Sequence, residues 1–364
     1  MRKKILWLIA IIIIFLPVIL WWAKPSQSMP IIVLDKTVPD PEYREHKGLI
    51  WFINHEKYSD GERSLKDYTG FYPNSQTHSE LTGIKDQVLA SPLLYLVDTY
   101  GVYTEDLKHR KASQDRSKLV YGGLNDDDIA IIKAFTTKQD KTVIAEFNAF
   151  ASPTPTHIRQ EMETLLGVNW TGWIGRYFEQ LNNDEIPDWM HTLYEQQYDA
   201  KWEFEGKGFV YIHENETIVV LEHDKHIGEN ELKMVKSDGD TGFKSASDVQ
   251  KYYYWFDVVT PSENVETFYQ YELDVTEAGK QILNKFGIPT TFPAVTKKTS
   301  DYTAYYFAGD FADIRSPLPP YWISGMKPLM KVSSLIENQE QFFWKVYIPM
   351  LSDIYEEIYE NYNK

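Results

Sequence analysis

Residues 141–155 read KTVIAEFNAFASPTP, and the fold turns on them. The short apolar, β-branched run 142–145 predicts a buried strand. It ends on Glu146 and Asn148. Small residues, Ser152 and two prolines follow, and a helix is predicted from Thr156. A strand, a sharp polar turn and a helix are how an open α/β sheet presents chemistry at its carboxyl edge.

Working outward, residues 30–35, PIIVLD, predict a first strand with Asp35 and Lys36 at its carboxyl end. Residues 46–57 follow as a helix whose apolar face is Leu49, Ile50, Phe52 and Ile53. Residues 67–74 can carry a short second strand, and 77–90 a weaker amphipathic helix. Residues 93–97, LLYLV, are the third strand, which ends on Asp98 and leads into Thr99, Tyr100, Gly101 and Tyr103. The charged stretch 105–117 reads as a solvated loop or an exposed helix. Asn125 then caps a helix to about Phe135, and Asp126, Asp127 and Asp128 in its first turn suit the helix dipole better than a metal. Residues 158–166 form the helix after the fourth strand, stopped by Gly167. Strand alternating with helix four times implies a parallel, doubly wound sheet, because each crossover lays its helix on a sheet face.

Beyond Gly167 the pattern changes. Residues 169–181, NWTGWIGRYFEQL, are aromatic and punctuated by glycine. Residues 209–213 and 217–221 predict a hairpin, and 252–259 and 267–273 two more antiparallel strands. Residues 276–286 have helical spacing. Residues 302–308 predict another strand, ending on Gly309, Asp310 and Asp313. Residues 334–362 read as a long amphipathic terminal helix with a possible break at Pro349. A (β/α) barrel with strands at Leu49, Leu93, Val143, Phe209, Tyr253 and Tyr305 is the alternative. Its uneven spacing and the β-rich stretch after Phe209 argue against it.

With 43% hydrophobic and 25% charged residues the chain is globular. A net charge of -16 excludes a phosphate-neutralising nucleic-acid partner. The absence of cysteine excludes disulfides, thiolate metal sites and a thiol nucleophile. Arg2, Lys3 and Lys4 precede an uninterrupted apolar run, 5–22, long enough for the ~30 Å core of a bilayer. Pro17 is tolerable within it, and Trp21 and Trp22 sit where an interfacial aromatic belt falls. The positive-inside rule puts residues 1–4 in the cytoplasm and the remainder outside. The following WWAKPSQSMP is a poor cleavage site, which favours an anchor over a cleaved signal peptide. The expected organisation is a tail (1–4), an anchor (5–22), a linker (23–29), an α/β domain (30–168), a β-rich insertion (169–300), and a closing strand and helix (301–364).

The order PIIVLD, helix, LLYLVD, YGGLNDDDIAIIKAF, KTVIAEF, helix and LLGV resembles the class I glutamine amidotransferase-like superfamily, and within it the ThuA-like and related non-catalytic branches. YTAYYFAGD and QFFWKVYIPMLSDIYEEI are similar to its closing strand and terminal helix. The resemblance covers about half the chain and implies a flavodoxin-like sheet with residues 169–300 partly inserted. Amidotransferases place a cysteine at the turn where this chain has Glu146 and Phe147, so glutaminase chemistry by that route is excluded. Function has to be argued from the site.

Asp35, Asp98, Glu146 and Asp310 all fall at strand ends, with Tyr100, Asn148 and Asp313 nearby. Paired carboxylates are what glycoside chemistry requires, and Glu146 with Asp98 or Asp310 is the expected catalytic set. Oxygen ligands could equally hold a divalent cation, though no metal or cofactor is expected. The competing reading has these acids capping helices or pairing with Lys36, Arg159 and Arg176. Trp170, Trp173, Arg176 and Tyr177 can stack on sugars or clamp an anion; alternatively Trp173 and Tyr177, four apart, are core residues of a helix. Glu222, His223, Asp224 and His226 resemble a metal cluster but read better as a solvated edge. Ser152 lacks the G-x-S-x-G context of an activated serine. The expected role is binding or processing of cell-envelope carbohydrate. The alternative is a structural partner of a membrane protein that offers the terminal helix to another chain.

Overall fold

The computed structural model of the chain describes residues 2–75, 77–108, 117–182, 185–237 and 243–364, with the backbone alone for residues 2–11 and 13. The predicted exposed stretch 105–117 thus lies largely outside the described residues. In chain order the strands are β1 (Ile31–Asp35), β2 (Thr69–Tyr72), β3 (Thr77–His78), β4 (Leu93–Asp98), β5 (Val102–Tyr103), β6 (Leu119–Tyr121), β7 (Thr142–Ala145) and β8 (Val168–Phe178). They continue as β9 (Gly208–His213), β10 (Ile218–Glu222), β11 (Ile227–Lys236), β12 (Val249–Lys251), β13 (Trp255–Pro261), β14 (Val265–Val275), β15 (Thr291–Thr299) and β16 (Thr303–Phe307).

The main sheet runs β12-β11-β14-β15-β16-β7-β4-β1-β2-β3. Its centre, β16-β7-β4-β1-β2, is parallel. Every residue of β4 and β7 is buried. Strands covered on both faces read as continuous apolar runs, which is why LLYLV and TVIA were visible in sequence. The late strand β16 returns to pair with β7, as expected from the terminal segment.

Strand order reverses at β1. From β1 the chain crosses through helix Arg44–Glu56 to β2; from β4 it crosses the other way, through helix Asp126–Thr136, to β7. Right-handed crossovers place those two helices on opposite faces. Helix Asp126–Thr136 packs with Lys85–Ala90 and Thr156–Leu166. Arg44–Glu56 packs instead with the C-terminal helical run: Phe52 meets Tyr355 at 5.1 Å between ring centroids and Trp51 meets Trp344 at 5.0 Å, both edge to face. The switch point between β1 and β4, where open α/β sheets bind ligands, has Asp35 and Asp98 side by side in register.

The segment after Gly167 divides its strands. β8, β9, β10 and β13 make a separate antiparallel sheet, while β11, β12, β14 and β15 extend the main sheet antiparallel. Two expectations are corrected here. Trp173 and Tyr177 lie on strand β8, not on a helix. Residues 77–90 form β3, a 3-10 turn (Leu81–Ile84) and the short helix Lys85–Ala90.

The terminal helical run extends through Gln339–Phe342, a wide π turn Phe343–Tyr347 and Ile348–Tyr362, so Pro349 does not end it. Phe343, Trp344, Tyr347, Leu351 and Tyr355 are all buried in the chain's own core. That apolar face is therefore not offered to a second chain. Residues 5–22 fall within helix Arg2–Ala23. Among the described residues no helix is long and apolar enough to cross a membrane; the side chains of the first half of Arg2–Ala23 are not among them.

Candidate functional site

The carboxyl ends of β1, β4 and β7 meet in a dense polar layer. Asp35 is fully buried; its carboxylate contacts Nδ1 of His46 and accepts from the Thr37 amide at 2.9 Å. His46 Nε2 faces the Leu65 carbonyl at 2.9 Å, so the ring is held from both sides. Asp98 accepts from Thr37 Oγ1 and the Tyr100 amide, each at 2.7 Å, and from Asn148 Nδ2 at 3.2 Å. Burial, then the Asp35 charge, push the Asp98 carboxyl up to about 7 against those stabilising bonds. Lys36 is sealed beneath, bound to Asp128 and to the Gly123 carbonyl. Asn125 and Asp128 form a reciprocal capping box, so the acidic triplet does cap its helix.

Glu146 sits one layer deeper, at 1% exposure. One carboxyl oxygen accepts from the amides of Phe311 and Ala312 at 2.8 and 2.9 Å; the other accepts from the Tyr95 hydroxyl. Burial pushes this acid up to about 8. It is a brace for the loop after β16 and does not face an open cleft. Asp310, on that loop, is buried; desolvation and then Asp313, Asp98 and Glu146 hold its carboxyl well above the ordinary range. The strand-end acids do form one electrostatic group, and of the expected catalytic set none is exposed by more than 5%.

The open feature lies beside them. A cleft of about 240 Å³ runs between the second sheet and the loop after β16, lined by Arg176, Tyr177, Tyr253, Tyr254, Asp313, Arg315 and Asn338–Glu340 among others. Asp313 is 3% exposed. Its Oδ2 takes Tyr254 Oη at 2.9 Å and an Arg44 nitrogen at 3.1 Å, while Oδ1 has no hydrogen-bond partner among the described residues. Arg176 is 8% exposed. Its guanidinium lies over Phe178 at 4.4 Å and near the Tyr254 and Trp255 rings at 5.3 and 5.4 Å, and its Nε is likewise unpartnered. Gln339 Oε1 is a third such atom. Native proteins pair nearly all buried polar groups, and three residues that line this one cleft each carry a buried polar atom without a partner among the described residues.

Of the residues expected at the site, Arg176, Tyr177 and Asp313 line this cleft. Asp35, Asp98, Glu146, Asn148 and Asp310 are buried and do not line it. Tyr100 is exposed and packs on Tyr103 at 4.9 Å. Trp173 is buried against His213 and Phe286, and Trp170 donates to the Trp173 carbonyl at 3.0 Å. Ser152 is exposed. His226 is bound through Nδ1 to the Glu222 amide at 3.0 Å. Among the described residues no group of three or more His, Asp or Glu is arranged to hold a metal. Sequence reasoning missed Tyr254, Gln339, Arg315 and Glu185, whose relevance comes only from folding. A larger groove, about 790 Å³, follows helix Arg44–Glu56 past Trp51, Arg63 and Tyr321. Its Trp51 and Arg63 already donate to the carbonyls of Pro319, Ile31 and Asp67, so it presents no comparable unmet bonding.

No family model matches the chain, and no curated protein matches it. Among solved structures it is similar to a ThuA-like protein from Bacteroides uniformis, with 9% identity, a TM-score of 0.41, and coverage of 92% of this chain and 93% of that one. So loose a likeness carries no argument about family or function.

Proposed function

We propose that this chain is a membrane-anchored, extracytoplasmic protein with an amidotransferase-like α/β core that binds cell-envelope carbohydrate in the cleft beside the carboxyl edge, without hydrolysing it. The observation that carries this reading is that Arg176, Asp313 and Gln339, each with one buried polar atom without a partner among the described residues, line one opening walled by Tyr177, Tyr253 and Tyr254. A sugar offers the matching surface. Its hydroxyls donate and accept, and its C–H faces pack on aromatic rings. The flavodoxin-like assignment is supported by the five parallel strands, the helices on both faces and the switch point at β1. The anchor is supported by the basic start, the helical backbone of Arg2–Ala23 and the exposed Trp22 at its end; Trp21 is instead buried on the chain itself, donating to the His55 carbonyl.

Turnover has no comparable support. Paired-carboxylate hydrolysis needs an acid and a base that reach the scissile bond. Glu146 and Asp98 are instead spent on backbone and hydroxyl groups of their own fold.

The test is titration of the full-length protein in detergent with envelope polysaccharide fragments, for wild type, Gln339→Leu and Asp313→Asn. Losing one hydrogen bond to an uncharged acceptor costs about 1 kcal/mol and one to a charged acceptor about 2. The expected weakening is roughly 5-fold and 30-fold. Unchanged affinity in both variants would remove the cleft as the binding site.

A further inference from the structure

Arg176 carries more information than an unmet donor. A guanidinium buried among Phe178, Tyr254 and Trp255 needs a charged partner, and its geometry suits a carboxylate gripped by two parallel N–H groups. The chain supplies only part of that. One Arg176 nitrogen reaches Glu185 Oε2 at 2.9 Å, and Nε is left over. The other Glu185 oxygen contacts Arg315 at 3.3 Å. Glu185 is itself 45% exposed at the cleft's rim, so the acid that joins these two arginines is one that solvent and ligands can reach.

We infer that the Glu185 carboxylate stands in for the carboxylate of an acidic sugar, which displaces it and binds Arg176 and Arg315 together. This rests on the carbohydrate reading of the same cleft and names the substrate class within it. The two ends of the cleft divide the work. The arginines take the acid group. Asp313 Oδ1 and Gln339 Oε1 accept from ring hydroxyls. Asp313 does not repel the ligand outright, because Arg44 and Tyr254 already hold its other oxygen; Glu179 and Glu340 keep the rest of the wall acidic, which confines the ligand's acid group to the arginine end. A neutral sugar fills the same space but leaves Arg176 with its surface counter-ion and its idle Nε.

The experiment compares D-glucuronic acid with D-glucose by titration calorimetry on the full chain in detergent, for wild type, Glu185→Gln and Arg176→Lys. Wild type is expected to bind glucuronate at least 10-fold tighter than glucose. Glu185→Gln, which frees both arginines, is expected to tighten glucuronate binding about 3- to 10-fold and leave glucose unchanged. Arg176→Lys is expected to abolish the preference for the acid. Glu185 is exposed enough that its variant folds even if Arg176→Lys does not, so the prediction stays open to refutation. Equal affinity of wild type for both sugars, or no gain in Glu185→Gln, overturns the inference while the cleft remains a sugar site. If neither sugar nor any envelope fragment binds, the carbohydrate reading itself falls and the inference with it.

Discussion

Replacing Glu146 separates a structural acid from a catalytic one. In Glu146→Gln the oxygen that accepts from the Phe311 and Ala312 amides is retained, and the new amide group faces the Tyr95 hydroxyl, which can turn toward Tyr347 Oη 3.0 Å away. The cost at low pH is one rearranged hydrogen bond, about 1 kcal/mol. The pH dependence is more telling. The folded-state acid is raised, to about 8 against an ordinary 4.5. Between those values the native state holds a proton that the unfolded state releases, so stability falls as pH rises through this window and the contribution is fully present only below about 4.5. Each tenfold change in proton affinity is worth about 1.4 kcal/mol, which bounds the swing at on the order of 5 kcal/mol. The glutamine variant is permanently neutral and escapes it. Urea unfolding followed by tryptophan fluorescence is predicted to show Glu146→Gln slightly less stable than wild type at pH 5 and more stable at pH 9. Glu146→Ala, which strands two buried amides and the Tyr95 hydroxyl but carries no titrating acid, is predicted to lose about 3–5 kcal/mol at pH 5 and correspondingly less relative to wild type at pH 9. A glutamine variant that tracks wild type at every pH would refute the buried, proton-holding role.

Two further expectations follow from the same layer and its covering helix. Lys36→Met removes the sealed cation from Asp128 and is expected to destabilise the protein by about 3–5 kcal/mol, measured by urea unfolding near neutral pH, because it leaves a buried acid without its counter-ion. Deleting residues 339–364 is expected to yield no cooperatively folding product by circular dichroism, because Phe343, Trp344, Tyr347, Leu351 and Tyr355 close the core; a folded, soluble product would restore the idea that this helix serves another chain.

The parallel half of the fold was legible because its strands are buried on both faces. PIIVLD, LLYLVD and KTVIA could be nothing but core, and the Asn125–Asp128 box marks its helix by chemistry alone. The antiparallel half hid its strand. Trp173 and Tyr177 are four apart, a spacing that shares a face in a helix and equally in a strand of period two, so periodicity could not decide between them. Gly175 weighs for the strand only once the fold is known: a β-carbon there would fall 2.3 Å from the Phe256 ring. Pro349 misled for a related reason. The π turn just before it widens the helix, the device that lets a helix pass an irregular residue without breaking. Arg176 was conspicuous in sequence for its apolar neighbours. Its cleft was not, since Tyr254, Asp313 and Gln339 come from segments that only the returning strand β16 and the terminal helix bring to β8. In sequence the strand-end acids are candidates for one shared cleft or for helix caps and ion pairs; the fold buries them at a crowded carboxyl edge, where Asp35, Asp98 and Glu146 find backbone amides or hydroxyls.

The most direct test of the account is amide hydrogen exchange on the full-length protein with and without saturating acidic oligosaccharide. Protection confined to residues around 176–179, 253–255, 313–316 and 338–340 is the predicted result. Protection centred instead on Asp35, Asp98 and Tyr100, on the groove along helix Arg44–Glu56, or on no segment at all would contradict it.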